Sequence, residues 1–167
     1  MINMSANYQV PFVSQYDLDI DKHWQDKACG LASLIMMLKY FDKPVDSKDL
    51  FETAIKNKAY LQNIGFKHKE LANLSVGYGL KGENFDWAKL SLEKAFIKLS
   101  TLLANQPIIA SIYSKFDSAS KDGHLIVLTG FDNKNIFYSD PQVGPDKSIS
   151  IEDFFKGWKK RVIVIKK

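Results

Sequence analysis

Cys29, the single cysteine of the chain, lies where a helix with a buried face is predicted to begin. Apolar residues recur after it at the three- and four-residue steps of one helical face, namely Leu31, Leu34, Ile35, Leu38 and Phe41. Free N–H groups and the positive dipole end of a helix favour a thiolate over a thiol. Gly30 leaves room for a substrate carbonyl beside the sulfur. These features predict a nucleophile, whereas a lone cysteine without partners is most often a small buried hydrophobic residue.

A nucleophilic cysteine needs a base and a group that orients the base, and two strand-like segments supply candidates. His124 opens the apolar run 125–130, and Asp140 ends the next run, 135–139. The polar segment 132–135 between them predicts a hairpin turn. The start of one strand then lies beside the end of the other. His124 alone fits a satisfied edge histidine, and Asp140 alone fits a turn residue before proline. Their predicted proximity favours a pair in which the carboxylate fixes the imidazole tautomer.

Attack on an acyl carbon also requires hydrogen-bond donors for the developing oxyanion. The backbone N–H of Cys29 is one candidate, and a side-chain amide upstream of the helix is the other. Gln15 and Gln25 lie fourteen and four residues before Cys29. Gln15 ends an extended segment and can reach across a cleft, whereas Gln25 is close to the helix start. We favour Gln15, and for both residues a solvent-facing amide is the alternative.

Helices dominate the first part of the sequence and strands the second. Helices are predicted from Cys29 to Phe41, after a cap at Asp46 or Ser47, over 68–78, over 87–104 and over 151–158. Strands are predicted over 80–85, 108–113, 124–130, 135–139 and 161–165. Residues 10–15 are predicted to form an extended edge segment, and residues 64–66 a loop. This order favours an α+β fold in which an N-terminal helical half packs on a C-terminal antiparallel sheet. The cleft between the two halves is where a site is expected.

Length and composition indicate one globular domain, residues 1–167, with a packed core, since 46% of the residues are hydrophobic and 25% are charged. The net charge of +4 is spread over scattered lysines without a nucleic-acid-binding motif, so no nucleic-acid partner is expected. No apolar stretch of about 18 residues exists to span a membrane. We expect a monomer that is cytoplasmic, or secreted or cell-surface if a signal peptide was removed.

Cofactor chemistry finds little support in the sequence. Its three histidines, His23, His68 and His124, share no short ligand spacing with each other or with Cys29. A glycine-rich phosphate loop is also missing. We therefore expect neither a metal nor an organic cofactor.

Four motifs, taken in order, resemble the peptidase C39-like family. They are Val-Pro-Phe-Val-Ser-Gln, Ala-Cys-Gly-Leu-Ala-Ser-Leu, Gly-His-Leu-Ile-Val-Leu-Thr-Gly-Phe-Asp and Tyr-Ser-Asp-Pro. Members of this family are papain-like cysteine peptidases related to the double-glycine leader peptidases of bacteriocin exporters, and the resemblance runs from about Val10 to Ile165. No single motif is decisive, but their order and context are specific.

The resemblance implies a papain-like fold, Cys29 as nucleophile, His124 as general base, Asp140 as the orienting residue and a glutamine as oxyanion donor. Exporter-type leader peptidases carry that glutamine about six residues before the cysteine, where this chain has His23. Looser relatives carry it at the end of the Val-Pro-x-x-x-Gln segment, which matches Gln15. The leading hypothesis is a peptidase acting on a peptide or protein. An acyltransferase or transpeptidase with the same triad, and a catalytically silent peptide- or protein-binding module, are the alternatives.

Overall fold

The computed structural model describes residues 4–167 and contains six α-helices within that range. The helices are α1 (Lys22–Gln25), α2 (Cys29–Tyr40), α3 (Ser47–Lys56), α4 (His68–Leu74), α5 (Leu92–Leu103) and α6 (Ile151–Gly157). Single 3-10 turns cover Gln15–Asp17, Ser75–Tyr78 and Ser114–Phe116. Asp46, Ser91 and Ser150 cap α3, α5 and α6 by accepting a hydrogen bond from the backbone N–H three residues ahead.

Seven of the strands form one antiparallel sheet that carries the second half of the chain. The strands are β1 (Ala6–Asn7), β4 (Lys81–Asp86), β5 (Ile108–Tyr113), β6 (Gly123–Phe131), β7 (Asn135–Asp140), β8 (Gly144–Ser150) and β9 (Trp158–Lys166), while β2 (Tyr60–Leu61) and β3 (Gly65–Phe66) form a separate hairpin. The order in the sheet is β4-β9-β5-β6-β7-β8, and β1 pairs with the end of β6. The predicted α+β architecture, with helices packed on an antiparallel sheet, is confirmed.

Helices cover both faces of the central strands. Leu125 and Val127 of β6 pack in the cluster around α2, whereas Ile126 and Leu128 pack in the cluster that contains residues of α5 and α6. A strand that is covered on both faces needs apolar residues at consecutive positions, which is why β6 shows a continuous apolar run instead of alternation. Helix α2 is likewise buried throughout 30–38, on more than the single face that its periodicity predicted.

Four local predictions differ from the structure. Segment 10–14 forms no strand, and Gln15 begins a 3-10 turn instead of ending an extended segment. Residues 65–66 belong to the hairpin of β2 and β3 instead of a loop. Helix α5 begins at Leu92, after the Ser91 cap, instead of at 87. Strand β8 was not predicted, because Pro145 and two positive-φ residues, Gly144 and Asp146, obscure its pattern.

Within residues 4–167, the helices are too short or too polar to cross a bilayer.

Candidate active site

His124 and Asp140 form a buried hydrogen-bonded pair on adjacent strands. The Nε2 atom of His124 lies 2.7 Å from Oδ1 of Asp140, and both residues are 8% exposed. Strands β6 and β7 pair antiparallel across the predicted turn, so the start of β6 faces the end of β7. The backbone N–H of Gln142 also donates to Oδ1 of Asp140, at 2.8 Å, and thereby fixes the carboxylate. The proximity that the hairpin argument predicted is present.

Cys29 is the first residue of α2, and it lies close enough to His124 to help raise the pKa of the imidazole. Because Asp140 takes Nε2, the nitrogen left for the sulfur is Nδ1. The structure therefore brings Cys29, His124 and Asp140 together, with the imidazole in the middle.

Close packing between α2 and β6 holds Cys29 in that position. A Cβ atom added at Gly30 would lie 2.8 Å from Cδ1 of Leu71 and 3.1 Å from Cδ1 of Leu125. One turn further along the helix, Oγ of Ser33 donates to the backbone oxygen of Leu125 at 3.3 Å. Glycine at position 30 thus allows the helix start to approach the strand that carries His124, in addition to leaving space beside the sulfur.

The charge state of His124 is set by its two neighbours. Burial lowers the pKa of the imidazole, but the hydrogen bonds to Asp140 and Cys29, with the negative charges of both groups, outweigh burial and raise the pKa of His124 to about 10. The ring is therefore protonated at neutral pH. A protonated ring beside the sulfur can donate its proton to a group that reacts there.

Gln15 is buried next to the end of β7, with 1% of its surface exposed. Its backbone N–H donates to the oxygen of Pro141 at 2.9 Å, and Nε2 of its side chain donates to the backbone oxygen of Gln25 at 2.8 Å. The side chain of Gln25 instead donates to the oxygen of Leu18 at 3.0 Å. Gln15 is thus hydrogen-bonded to the residue that follows Asp140, whereas the amide of Gln25, at the end of α1, is hydrogen-bonded to Leu18.

A cleft of ≈ 320 Å³ opens beside His124 and Asp140. It is lined further by Ile112, Lys115, Phe116, Tyr138, Gln142 and Val143. Sequence reasoning did not identify these residues. The sequence could have indicated Tyr138, because it lies two residues before Asp140 on β7 and residues at that spacing share a face of a sheet. Phe116 had none, because it lies in a polar loop.

The other two histidines lie apart from this pair. His23 packs against the Trp24 ring, and His68 begins α4, where burial and the charges of Arg161 and Lys159 lower its pKa. No cluster of three His, Cys, Asp or Glu side chains suited to a metal ion occurs in the part of the chain that the structure describes.

Comparison with known families gives one match that covers most of the chain. The model of the Peptidase C39 like family matches residues 8–163. This match confirms the resemblance drawn from the motifs. No curated protein sequence is significantly similar to the chain.

Solved structures share the fold at low sequence identity. The chain is similar to a C39-like peptidase from Bacillus anthracis, with a TM-score of 0.70, 20% identity and coverage of 98% of each chain. It is also similar to the peptidase domain of Streptococcus ComA, a bifunctional ABC transporter, with a TM-score of 0.68, 18% identity and coverage of 95% of this chain and 98% of that one. A third is a double-glycine-motif protease from an AMS/PCAT transporter, solved with its leader peptide, with a TM-score of 0.66, 21% identity and coverage of 96% and 94%. The predicted papain-like fold is confirmed.

Proposed function

The chain belongs to the Peptidase C39 like family, and we propose that it is a cysteine peptidase that cuts peptide bonds with Cys29, His124 and Asp140. The observation that carries the proposal is the position of His124. Its ring is hydrogen-bonded to a carboxylate on one side and lies next to the sole cysteine of the chain on the other. If His124 only helped to pack the edge of the sheet, it would not need a thiol at the start of a helix as a second neighbour.

In the first half of the proposed reaction, Sγ of Cys29 attacks the carbonyl carbon of the scissile bond. A C–S bond forms, and the carbonyl electrons move to oxygen. His124, protonated at neutral pH, then gives its proton to the leaving nitrogen as the C–N bond breaks. The product of this half is a thioester on Cys29 and a free amine.

In the second half, water replaces the amine. His124, now neutral, takes a proton from the water as its oxygen attacks the thioester carbon. The C–S bond then breaks, the acid is released, and the Cys29–His124 pair is restored. Asp140 keeps Nε2 of His124 occupied throughout, so that Nδ1 faces the sulfur and the reacting atoms.

In both steps, the backbone N–H of Cys29 and the side-chain amide of Gln15 are the proposed hydrogen-bond donors to the oxyanion. The N–H of Cys29 is at the start of α2, where backbone donors lack helical partners. The Gln15 amide uses one N–H for the oxygen of Gln25, and its Oε1 has no partner. The second N–H remains for a substrate oxygen.

A peptide is the substrate class that the family and the fold favour. The double-glycine-motif protease to which the chain is similar was solved with a leader peptide. We propose a peptide or protein substrate for this chain on the same grounds.

The test is the rate at which iodoacetamide alkylates Cys29 between pH 5 and pH 9. The wild-type thiol is expected to react at pH 6 as fast as at pH 8, because the imidazolium stabilises the thiolate, whereas a free cysteine has a pKa of about 8.5. His124→Ala should lower the rate at pH 6 by about 300-fold, since about 2.5 pH units separate pH 6 from the free-thiol value. His23→Ala, which replaces an exposed histidine, serves as the matched control and should react like the wild type.

A thiol that reacts only above pH 8, and equally in wild type and His124→Ala, would contradict the peptidase proposal. That result would favour a silent binding module of the same fold.

A further inference from the structure

We propose that the cleft beside His124 binds an apolar side chain of the residue that directly follows the scissile bond. We call it the leaving-group cleft, lined by Ile112, Lys115, Phe116, Tyr138, Gln142 and Val143 together with His124 and Asp140. The inference rests on the proposed peptidase function and adds to it a preference on one side of the cut.

The position of the cleft determines which part of a substrate can enter it. His124 and Asp140 line the cleft, but Cys29 and Gln15 do not. In the acylation step the carbonyl part of the substrate becomes bonded to Cys29, with its oxygen toward Gln15. The amine part leaves next to His124, which protonates it. A cavity that touches the histidine and neither of the acyl-binding groups therefore lies on the side of the leaving amine.

The lining of the cleft is mainly apolar. Ile112 is fully buried, Phe116 and Tyr138 are half-buried, and Val143 is 67% exposed. Burial, with the charge of Asp140, raises the pKa of Tyr138, so its hydroxyl stays neutral. An apolar substrate side chain would cover Val143 and the two rings and remove their surface from water.

The polar residues that line the cleft leave the apolar surface of Val143 and the two rings free to contact a substrate. Lys115 and Gln142 are exposed, and the backbone N–H of Gln142 already donates to Asp140. They suit the edge of a cleft through which the following residues of a peptide leave the site. A volume of ≈ 320 Å³ is at the small end of ligand pockets, which suits one or two side chains.

The aromatic wall of the cleft is fixed before a substrate binds. The ring of Phe116 lies 5.5 Å from that of Tyr138 and 6.1 Å from that of Phe154. Gly157 lets the loop approach α6, because a Cβ atom at that position would lie 2.3 Å from Cα of Phe116. The loop that precedes His124 is thus anchored at Phe116, and the cleft needs no closure to form.

The test loads Cys29 with an acyl group and asks which amine removes it. Sγ of Cys29 attacks the carbonyl carbon of N-acetyl-glycylglycine benzyl thioester, and benzyl mercaptan leaves as the acyl group is transferred to Cys29. Leucine, glycine, aspartate and lysine amides then compete with water for that acyl group. The amine nitrogen attacks the thioester carbon, a C–N bond forms, the C–S bond breaks, and the proton leaves the nitrogen through His124. Leucine amide should be transferred at least ~10-fold more efficiently than glycine amide, since single methylenes in apolar pockets discriminate by 10-fold or more. Aspartate and lysine amides should not exceed glycine amide.

Val143 offers a variant with a matched control. Val143→Asp should reduce the ratio of leucine to glycine transfer by ~5-fold or more. The ratio compares two amines that react with the same acyl-enzyme, so it does not depend on the rate of acylation. Val76→Asp changes a valine of nearly equal exposure, 66% against 67%, outside the cleft and should leave the ratio unchanged.

Two failures are distinguishable. Acylation of Cys29 with equal transfer to leucine and glycine amides, or an unaltered ratio in Val143→Asp, would overturn the cleft assignment and leave the peptidase proposal intact. No acylation of Cys29 by the thioester would overturn both.

Discussion

The two halves of the site are held together by different kinds of structure. His124 and Asp140 lie on neighbouring strands joined by a tight turn, so backbone hydrogen bonds of one hairpin set their relation. Cys29 and Gln15 are far from His124 in the sequence and are positioned by packing. Gly30 lets the start of α2 approach the strand of His124, and the backbone N–H of Gln15 donates to the oxygen of Pro141. The hairpin determines the charge and orientation of His124, the proposed base. The helical half supplies Cys29 and Gln15, the proposed nucleophile and oxyanion donor.

Gln15→Ala should have the largest effect on chemistry in the helical half. Removing one oxyanion donor costs about 10²- to 10³-fold in kcat. Alkylation by iodoacetamide creates no oxyanion, so its rate should stay close to the wild-type value. Hydrolysis of a thioester substrate and alkylation, measured on the same preparation, separate the two effects.

Gln25→Ala is the matched control for that change. It removes the other candidate amide but keeps the backbone oxygen that accepts from Gln15. A larger loss of kcat in Gln25→Ala than in Gln15→Ala would transfer the oxyanion role to Gln25. Equal losses of hydrolysis and alkylation in Gln15→Ala would reduce Gln15 to a packing residue.

Asp140→Asn tests the hairpin half with a smaller expected loss, roughly 10- to 100-fold in kcat, because the amide oxygen still accepts from His124 while the charge is removed.

The same substitution should change how stability depends on pH. The folded state holds the proton of His124 up to about pH 10, while an unfolded histidine releases its proton near pH 6.5. The stabilisation from the protonated ring is therefore complete below about pH 6.5 and is lost as the pH rises toward 10.

Urea unfolding of both proteins between pH 6 and pH 10 measures that dependence. The advantage of the wild type over Asp140→Asn in free energy of unfolding should shrink steadily as the pH rises. An advantage that is constant or grows over this range would show that the His124 proton is not held by Asp140.

Gly30→Ala should give the smallest effect and isolate the contact between the halves. The added methyl meets the ends of two buried leucine side chains, so we expect a ~2- to 5-fold slower alkylation at pH 6 and ~1–3 kcal/mol of lost stability. Gly77→Ala is the control, since a Cβ atom there has no neighbour within 4 Å. An unchanged alkylation rate in Gly30→Ala would mean that the close approach of α2 to β6 does not set the Cys29–His124 contact.

The same contrast explains what the sequence could predict. The His124–Asp140 contact follows from local rules, since a turn signal and two apolar runs determine which residues face each other. The apolar run after Cys29 predicted a helix with Cys29 in its first turn, and Cys29 is the first residue of α2. The burial of Gln15 beside Pro141 depends on long-range packing that no local pattern encodes.

Strand β8 and the aromatic wall show the same limit. Pro145 is compatible with β8 because that strand lies at the edge of the sheet, where a missing N–H costs no ladder bond, yet the residue argues against a strand when it is read alone. Phe116 reaches the cleft only because Gly157, far along the chain, gives its backbone room. Such pairings become visible only once the tertiary structure is known.

The separation of Cys29 from its partner has a consequence for folding kinetics. More than half of the chain lies between Cys29 and His124, whereas the hairpin that joins His124 to Asp140 closes a short loop. Loop-closure entropy favours the early formation of short-range contacts, so the hairpin should precede the docking of α2 during refolding. Because the molecule has a single sulfhydryl, the return of fast alkylation at pH 6 during refolding would report the time at which α2 docks beside the hairpin.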